Sequence, residues 1–225
     1  MNETDSLIQT ITVYLIPVLF AISLHEAAHG YVARYFGDPT AAQEGRLSLN
    51  PLRHIDPFGT IILPLILSLL HLPALGYAKP VPVDYGRLRN PKKQMAFVAA
   101  AGPAANFAMG LGWMTLWVLL TYALGFPQDD FFIEMSKAGI GVNSAMCIFN
   151  LIPLPPLDGG RIVTGMLPLP LARQYAQIER YGMYVFIGLI LMMQFGLLTD
   201  FLVGGMHILQ SIFHVLLYPL IFLLR

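Results

Sequence analysis

The sequence predicts an all-α polytopic membrane protein with about five to six transmembrane helices, a re-entrant or hairpin segment and a short extended β segment. Three observations carry that prediction. Only 12% of the 225 residues are Asp, Glu, Lys or Arg, roughly half the share usual in globular domains. Apolar and aromatic types reach 56%, so a water-soluble fold would carry large exposed apolar patches. The charges are also clustered, and several intervals between clusters are long enough to cross a bilayer. The same composition excludes disorder, and a net charge of zero offers no basic surplus for a nucleic-acid partner.

The elements follow from the uncharged intervals. Ser6–Leu24 is the first, with a helical pattern continuing to Ala33. The residues before it carry Glu3 and Asp5 and no basic group, so this run is expected to be retained rather than cleaved as a signal peptide. Pro57–Ala78 is uncharged but interrupted by Pro57, Pro64, Pro73, Gly59 and Gly76. Gln94–Gln128, Ala138–Leu157, Tyr181–Thr199 and Phe201–Leu224 complete the series. There are no repeats and no separable soluble region. The chain therefore reads as one membrane-embedded domain, with a core over about 7–165 and a C-terminal helical pair over about 181–224.

Basic residues orient these segments. Arg34, Arg46 and Arg53 follow the first span, and Lys79, Arg87, Arg89, Lys92 and Lys93 precede the Gln94 span. Arg161, Arg173 and Arg180 follow the Ala138 interval, while Asp129–Glu134 is acidic. The positive-inside rule then places the N-terminus outside and all the basic residues but Lys137 in the cytoplasm. That works only if Pro57–Ala78 does not cross once, which makes it the re-entrant or hairpin segment and leaves five true spans.

The first span ends in Ser23-Leu24-His25-Glu26-Ala27-Ala28-His29-Gly30. His25 and His29 are four apart, so on a helix both imidazoles leave one face, as two nitrogen ligands of one Zn²⁺ require. Glu26 beside them can reach a metal-bound water as general base. Three ionisable groups within a membrane span are costly unless partnered and used, which disfavours two merely buried histidines and a stray acid. Catalytic zinc usually takes a third protein ligand. Glu134 falls in the expected exterior loop and Glu179 in a solvated basic stretch, which leaves Asp158. It ends Asn150-Leu151-Ile152-Pro153-Leu154-Pro155-Pro156-Leu157-Asp158-Gly159-Gly160-Arg161, where the prolines deny a regular helix and the glycines allow a close turn. Broken backbone at membrane depth is tolerated where it lines a protected cavity. On this segment alone, a kinked helix end with an interfacial Asp reads equally well. Depth favours the ligand. His29 lies about 7–8 Å along the axis from Arg34, and in the five-span topology Asp158 arrives at the same cytoplasmic side.

At these residues the chain resembles the site-2 proteases, intramembrane zinc metalloproteases of peptidase family M50. His25–His29 matches their HExxH motif and Asn150–Gly159 their NxxPxPxLDG element. Gly102-Pro103-Ala104-Ala105-Asn106 is similar to the GxxxN stretch of their core helix, and Gly76–Val83 to the extended segment of compact prokaryotic members. The resemblance covers about residues 7–165, without the PDZ or CBS modules of many relatives. It implies one Zn²⁺ per chain on His25, His29 and Asp158, with Glu26 as base. It implies hydrolysis of a peptide bond in or near a transmembrane segment of a membrane-protein substrate, and residence in a prokaryotic inner membrane with the active site near the cytoplasmic face. By the same analogy Asn150 and Asn106 hydrogen-bond the unwound substrate or the active-site strand; interhelical hydrogen bonding is an equal alternative. A helical substrate hides its peptide bonds and has to unwind, and the Gly76–Val83 run could offer it one strand edge.

Other polar residues stay secondary. His54 and Asp56, in Asn50–Pro57, are candidates for gating or hydrating the site, although a hydrogen-bonded interfacial loop is the simpler reading. His207 and His214 suit packing or interfacial anchoring. Cys147, the sole cysteine, suits a small buried filler and permits no intrachain disulfide. Two rival functions remain at this stage: a divalent-metal transporter or channel, and an inactive escort of membrane proteins. The first calls for a continuous polar pathway with acidic or His residues at several depths, whereas the sequence has one clustered site near one face and no charge within the last two spans; the second leaves Glu26 without a purpose.

Overall fold

The computed structural model describes residues 3–69 and 79–224. Among them every regular element is helical. The first uncharged run and the His25–His29 segment form one long helix, α1 (Glu3–Tyr35). It stops where Gly37 turns left-handed at φ 112°, a conformation that costs glycine nothing. A short turn of helix, α2 (Thr40–Gln43), follows. A single π turn at Pro57–Ile62 leads into α3 (Leu63–Leu69). Asp56 caps that turn, its carboxylate accepting from the Gly59 amide at 2.7 Å, as an N-cap aspartate does.

Pro91, suited to a first helical position, opens α4 (Pro91–Val118). α5 (Phe131–Asn150) starts on an Asp130 side-chain cap. The prolines at 153, 155 and 156 then hold residues 151–157 in turns, until α6 (Asp158–Met166) begins at the aspartate itself. α7 (Leu169–Ala176), α8 (Gly182–Gln194) and α9 (Thr199–Leu224) complete the chain.

Among the described residues, three helical stretches are long and apolar enough to cross a membrane: Gln9–Tyr35, Pro91–Ala123 and Thr199–Leu224. The expected Ala138–Leu157 span falls on α5, which starts seven residues earlier and takes Glu134 and Lys137 into its first turns. The expected Tyr181–Thr199 span is shorter than its uncharged interval. α8 ends at Gln194 because Gly196 turns at φ 75°, and its 13 residues rise only about 20 Å. Of the expected extended segment, Gly76–Ala78 lies outside the described residues. Lys79–Asp84 forms no strand.

α4 is the central helix and packs on α1, α5, α6 and α9. Close approach rests on missing side chains, as is usual between helices in lipid. A Cβ at Gly110 would lie 2.8 Å from the Phe213 ring, and one at Gly139 would lie 2.3 Å from the Trp113 indole. Met114 and Val118 of α4, Ile140 and Cys147 of α5, and Leu209, Phe213 and Ile221 of α9 form the main apolar core. A second core of Ile152, Leu157, Leu189, Leu198 and Leu202 fixes the proline-rich turns against α8 and α9. The outer faces remain apolar, with Val215, Leu216, Phe222 and Leu223 of α9 exposed, as befits contact with lipid.

Gly139→Ala is expected to overpack the α4–α5 contact and destabilise the protein by about 1–3 kcal/mol. A lowered melting temperature of the purified protein in detergent checks this, and unchanged melting would show that the indole moves aside freely.

Candidate metal centre

α1 and α4 run antiparallel where the site forms. Val98, Gly102 and Asn106 recur every fourth residue and so share the face of α4 turned to α1. His25 Nδ1 meets Asn106 Oδ1 at 2.6 Å, and His29 Nδ1 meets the Val98 carbonyl at 2.7 Å. Both partners present oxygens that accept, because the Asn106 amide nitrogen is turned to Ala21 O and Asn143 Oδ1 at 3.2 and 3.1 Å. Each imidazole therefore carries its hydrogen on Nδ1 and presents an Nε2 lone pair.

The two Nε2 atoms stand 3.1 Å apart, and Asp158 Oδ2 lies 3.2 Å from the first and 3.4 Å from the second. His25 and Asp158 are buried, at 5% and 7% exposure. Three electron-pair donors facing each other at this range repel unless a cation lies between them. Tetrahedral ligands at 2.0–2.1 Å from zinc are separated by about 3.3–3.4 Å, close to the observed triangle. Asp158 Oδ2 has no hydrogen-bond donor of its own. The residues present thus fit a divalent metal of the zinc type, and His25, His29 and Asp158 would hold it.

Glycines make room for this arrangement. A Cβ on Gly102 would come within 2.5 Å of His29 Nε2 and 2.6 Å of His25 Nε2, in the space a metal would need. Residues 151–155 fold back so tightly over the start of α6 that a Cβ on Gly159 would lie 2.3 Å from Leu151 O, and one on Gly160 would lie 2.2 Å from Pro155 N. Such contacts are with backbone and cannot be relieved by a rotamer change. They set where Asp158 sits.

Glu26 is half-buried beside the cluster. Its Oε2 accepts a hydrogen bond from the Val81 amide at 2.9 Å. The Lys79–Asp84 segment is fixed there from several sides. Arg46 donates to the Lys79 and Pro80 carbonyls at 3.1 and 3.3 Å, and the Asp84 amide donates to buried Asp38 at 2.8 Å. Burial raises the Asp38 pKa, but the Thr40 hydroxyl and amide, the Asp84 amide and nearby Arg87 outweigh it, so this carboxyl titrates below its ordinary value. Val81 packs into the notch of Gly30, where a Cβ would meet its Cγ1 at 2.8 Å.

The remaining sequence-derived candidates lie apart from the three ligand atoms. Asn106 is fully buried with its amide engaged by protein on both sides, which is the interhelical alternative. Asn150, half-buried in the last turn of α5, donates to Met146 O at 3.0 Å. His54 is buried with Nε2 at 2.7 Å from Ser48 O, and Asp56 is the helix cap described above. His207 and His214 are on α9.

Four features escaped the sequence reading. The Val98 carbonyl and the Val81 amide are backbone groups and leave no sequence signal. Gly30 directly follows the HEAAH motif and was passed over. Asn143 could have been found, being a polar residue in an apolar helix two turns before Asn150.

The profile described as peptidase family M50 matches residues 127–193, a stretch holding α5, the proline-rich turns and Asp158. The chain is 37% identical over 180 residues to the protein named "Putative zinc metalloprotease YwhC" of Bacillus subtilis (strain 168), covering 77% of each chain. It is 30% identical over 175 residues to "Putative zinc metalloprotease Rip2" of Mycolicibacterium smegmatis, covering 77% of this chain and 64% of that one. The Rip2 protein of Mycobacterium tuberculosis is 29% identical over 145 residues, 63% of this chain and 52% of its own length. No solved structure matches.

Gly102→Ala is expected to lower zinc affinity by at least about tenfold while helix content stays at the wild-type level. Metal titration with circular dichroism checks both. Wild-type affinity in the variant would mean that the cluster relaxes around a methyl group.

Proposed function

The chain belongs to peptidase family M50, the site-2 protease family, and is a zinc metalloprotease of membrane type; on that premise we propose that it is an intramembrane endopeptidase, cutting a peptide bond in or near a transmembrane segment of its substrate. The observation that carries this reading is the convergence of His25, His29 and Asp158 on one point, with Glu26 adjoining in the HExxH order. One Zn²⁺ per chain would be held by these three side chains; when bound it would supply a Lewis acid that acidifies water and polarises the scissile carbonyl.

The protein's own groups perform the rest. Glu26 takes the proton of the attacking water and returns it to the leaving amine. Its orientation comes from the Val81 amide, which engages one carboxylate oxygen and leaves the other for the water. The Nδ1 hydrogen bonds of His25 and His29 keep both rings in the ligating tautomer. The Lys79–Val83 stretch, with prolines at 80 and 82, cannot join a helix and offers an edge to an unwound substrate. Asn150, in the last turn of α5 before the broken segment, is proposed as a further substrate contact, and Asn106 as the group that orients His25. His54 and Asp56 act through the loop they brace.

The proposed topology keeps five spans, with the N-terminus outside and the site near the cytoplasmic face. Its supporting observation is that the Lys79 amide donates to the His54 carbonyl at 2.9 Å. The ends of the intervening apolar segment therefore meet, whereas a single crossing would part them by about 30 Å. This supports a re-entrant path, with the basic clusters before and after it on one side.

Glu26→Gln is expected to reduce cleavage of a transmembrane substrate by about 10²–10⁴-fold with zinc content retained; hydrolysis at the wild-type rate would remove the mechanism. Single cysteines introduced at Arg87 and Asp129, in a chain lacking Cys147, should label from opposite sides of the membrane. Same-side labelling would undo the topology.

A further inference from the structure

We infer that Asn143 is a positioning residue for the metal centre, fixing through Asn106 which nitrogen of His25 faces the metal. This rests on the reading of His25, His29 and Asp158 as a zinc site. Asn143 and Asn106 are both fully buried, on α5 and α4. Their amides form a chain of hydrogen bonds with one possible direction. It starts at two backbone carbonyls, which can only accept. Asn143 Nδ2 donates to Gly139 O at 2.9 Å, so its Oδ1 must be the end turned to α4. That oxygen accepts from Asn106 Nδ2 at 3.1 Å, and the other hydrogen of the same nitrogen goes to Ala21 O at 3.2 Å. Asn106 Oδ1 is then the atom left facing His25 Nδ1, at 2.6 Å.

The direction matters because the reverse one disables the ligand. With the Asn106 amide flipped, an N–H would face Nδ1, the imidazole hydrogen would move to Nε2, and the lone pair aimed at Asp158 and His29 would be lost. Ala21 O opposes that flip from α1, and Asn143 opposes it from α5. His29 needs no such relay, because its partner is itself a backbone carbonyl. The Asn143 side chain bonds to Asn106 and to Gly139 O and not to the ligand atoms, so its effect on the metal passes through Asn106.

The test uses the full-length chain in detergent, with zinc affinity measured by competition with a chromophoric chelator and the visible spectrum recorded with Co²⁺ in place of zinc. Asn143→Leu is expected to weaken zinc binding by about tenfold and Asn106→Leu by about 10–100-fold, the range for groups behind metal ligands. The double variant should bind as Asn106→Leu does, because the two residues act in series. The cobalt bands of Asn143→Leu should shift with the changed seat of His25. If Asn143→Leu does not fold, Asn143→Ala is read in its place, with the melting temperature of the metal-free protein confirming the fold. Wild-type affinity and spectrum in a folded Asn143 variant would overturn the inference, as would additive losses in the double variant. A wild-type chain that takes up no zinc would instead overturn the site reading on which it rests.

Discussion

Two imidazole nitrogens and a carboxylate oxygen stand 3.1–3.4 Å apart among helices whose other contacts are mostly apolar, and left to themselves these donors would swing away from one another. Much of the surrounding chain prevents that. The Val98 carbonyl and the Asn106 amide hold the rings from behind, and the backbone of residues 151–155 presses on the first turn of α6 so that Asp158 cannot withdraw. Hydrogen bonds between helices in lipid average only about 0.6 kcal/mol. The Asn106 bonds thus add little to the cohesion of the bundle, which comes from packing at Gly110 and Gly139. Their consequence is orientation, since a ring turned the wrong way offers no lone pair at all.

α4 is the template on which this orientation is built. Its one face presents a carbonyl at Val98, an empty notch at Gly102 and an amide at Asn106. Antiparallel to α1, that face meets His29, the space between the rings, and His25 in turn. Residues four apart on one helix are matched by residues four apart on the other, so the register of two helices fixes both imidazoles together. Gly102 is needed for a different reason from the packing glycines. The space it leaves borders both Nε2 atoms, and any side chain there would crowd the ligating rings rather than a neighbouring helix.

The chemistry was more legible in the sequence than the path of the chain. HEAAH at four-residue spacing and an aspartate after a run of prolines are side-chain signals, and charges are so scarce that Glu26 and Asp158 stood out. What the site owes to backbone was hidden, since no residue type marks the Val98 carbonyl or the Val81 amide. Asn106 was readable only as one of two roles, because which neighbour an amide faces depends on helix rotation. Uncharged intervals mark apolar runs and not helix ends. Gly196 stops α8 at a position that hydropathy does not register, and α5 absorbs Glu134 and Lys137 because their ion pair at 2.8 Å lies exposed on its first turns. The prolines at 80 and 82 did exclude a helix, as expected, yet among the described residues no strand lies beside this stretch to form a ladder with it.

The same stretch is poor in amide hydrogens. Between Lys79 and Asp84 only Val81 and Val83 among the inner residues carry an amide hydrogen, since Pro80 and Pro82 have none. Val81 directs its own at Glu26. The prolines offer carbonyls alone, and Arg46 takes those of both Lys79 and Pro80. Such a segment cannot sit inside a sheet, where both edges must pair. The one inner amide the segment directs toward the cluster is that of Val81, so the path of Lys79–Asp84 and the orientation of the Glu26 carboxylate beside the metal ligands are set together.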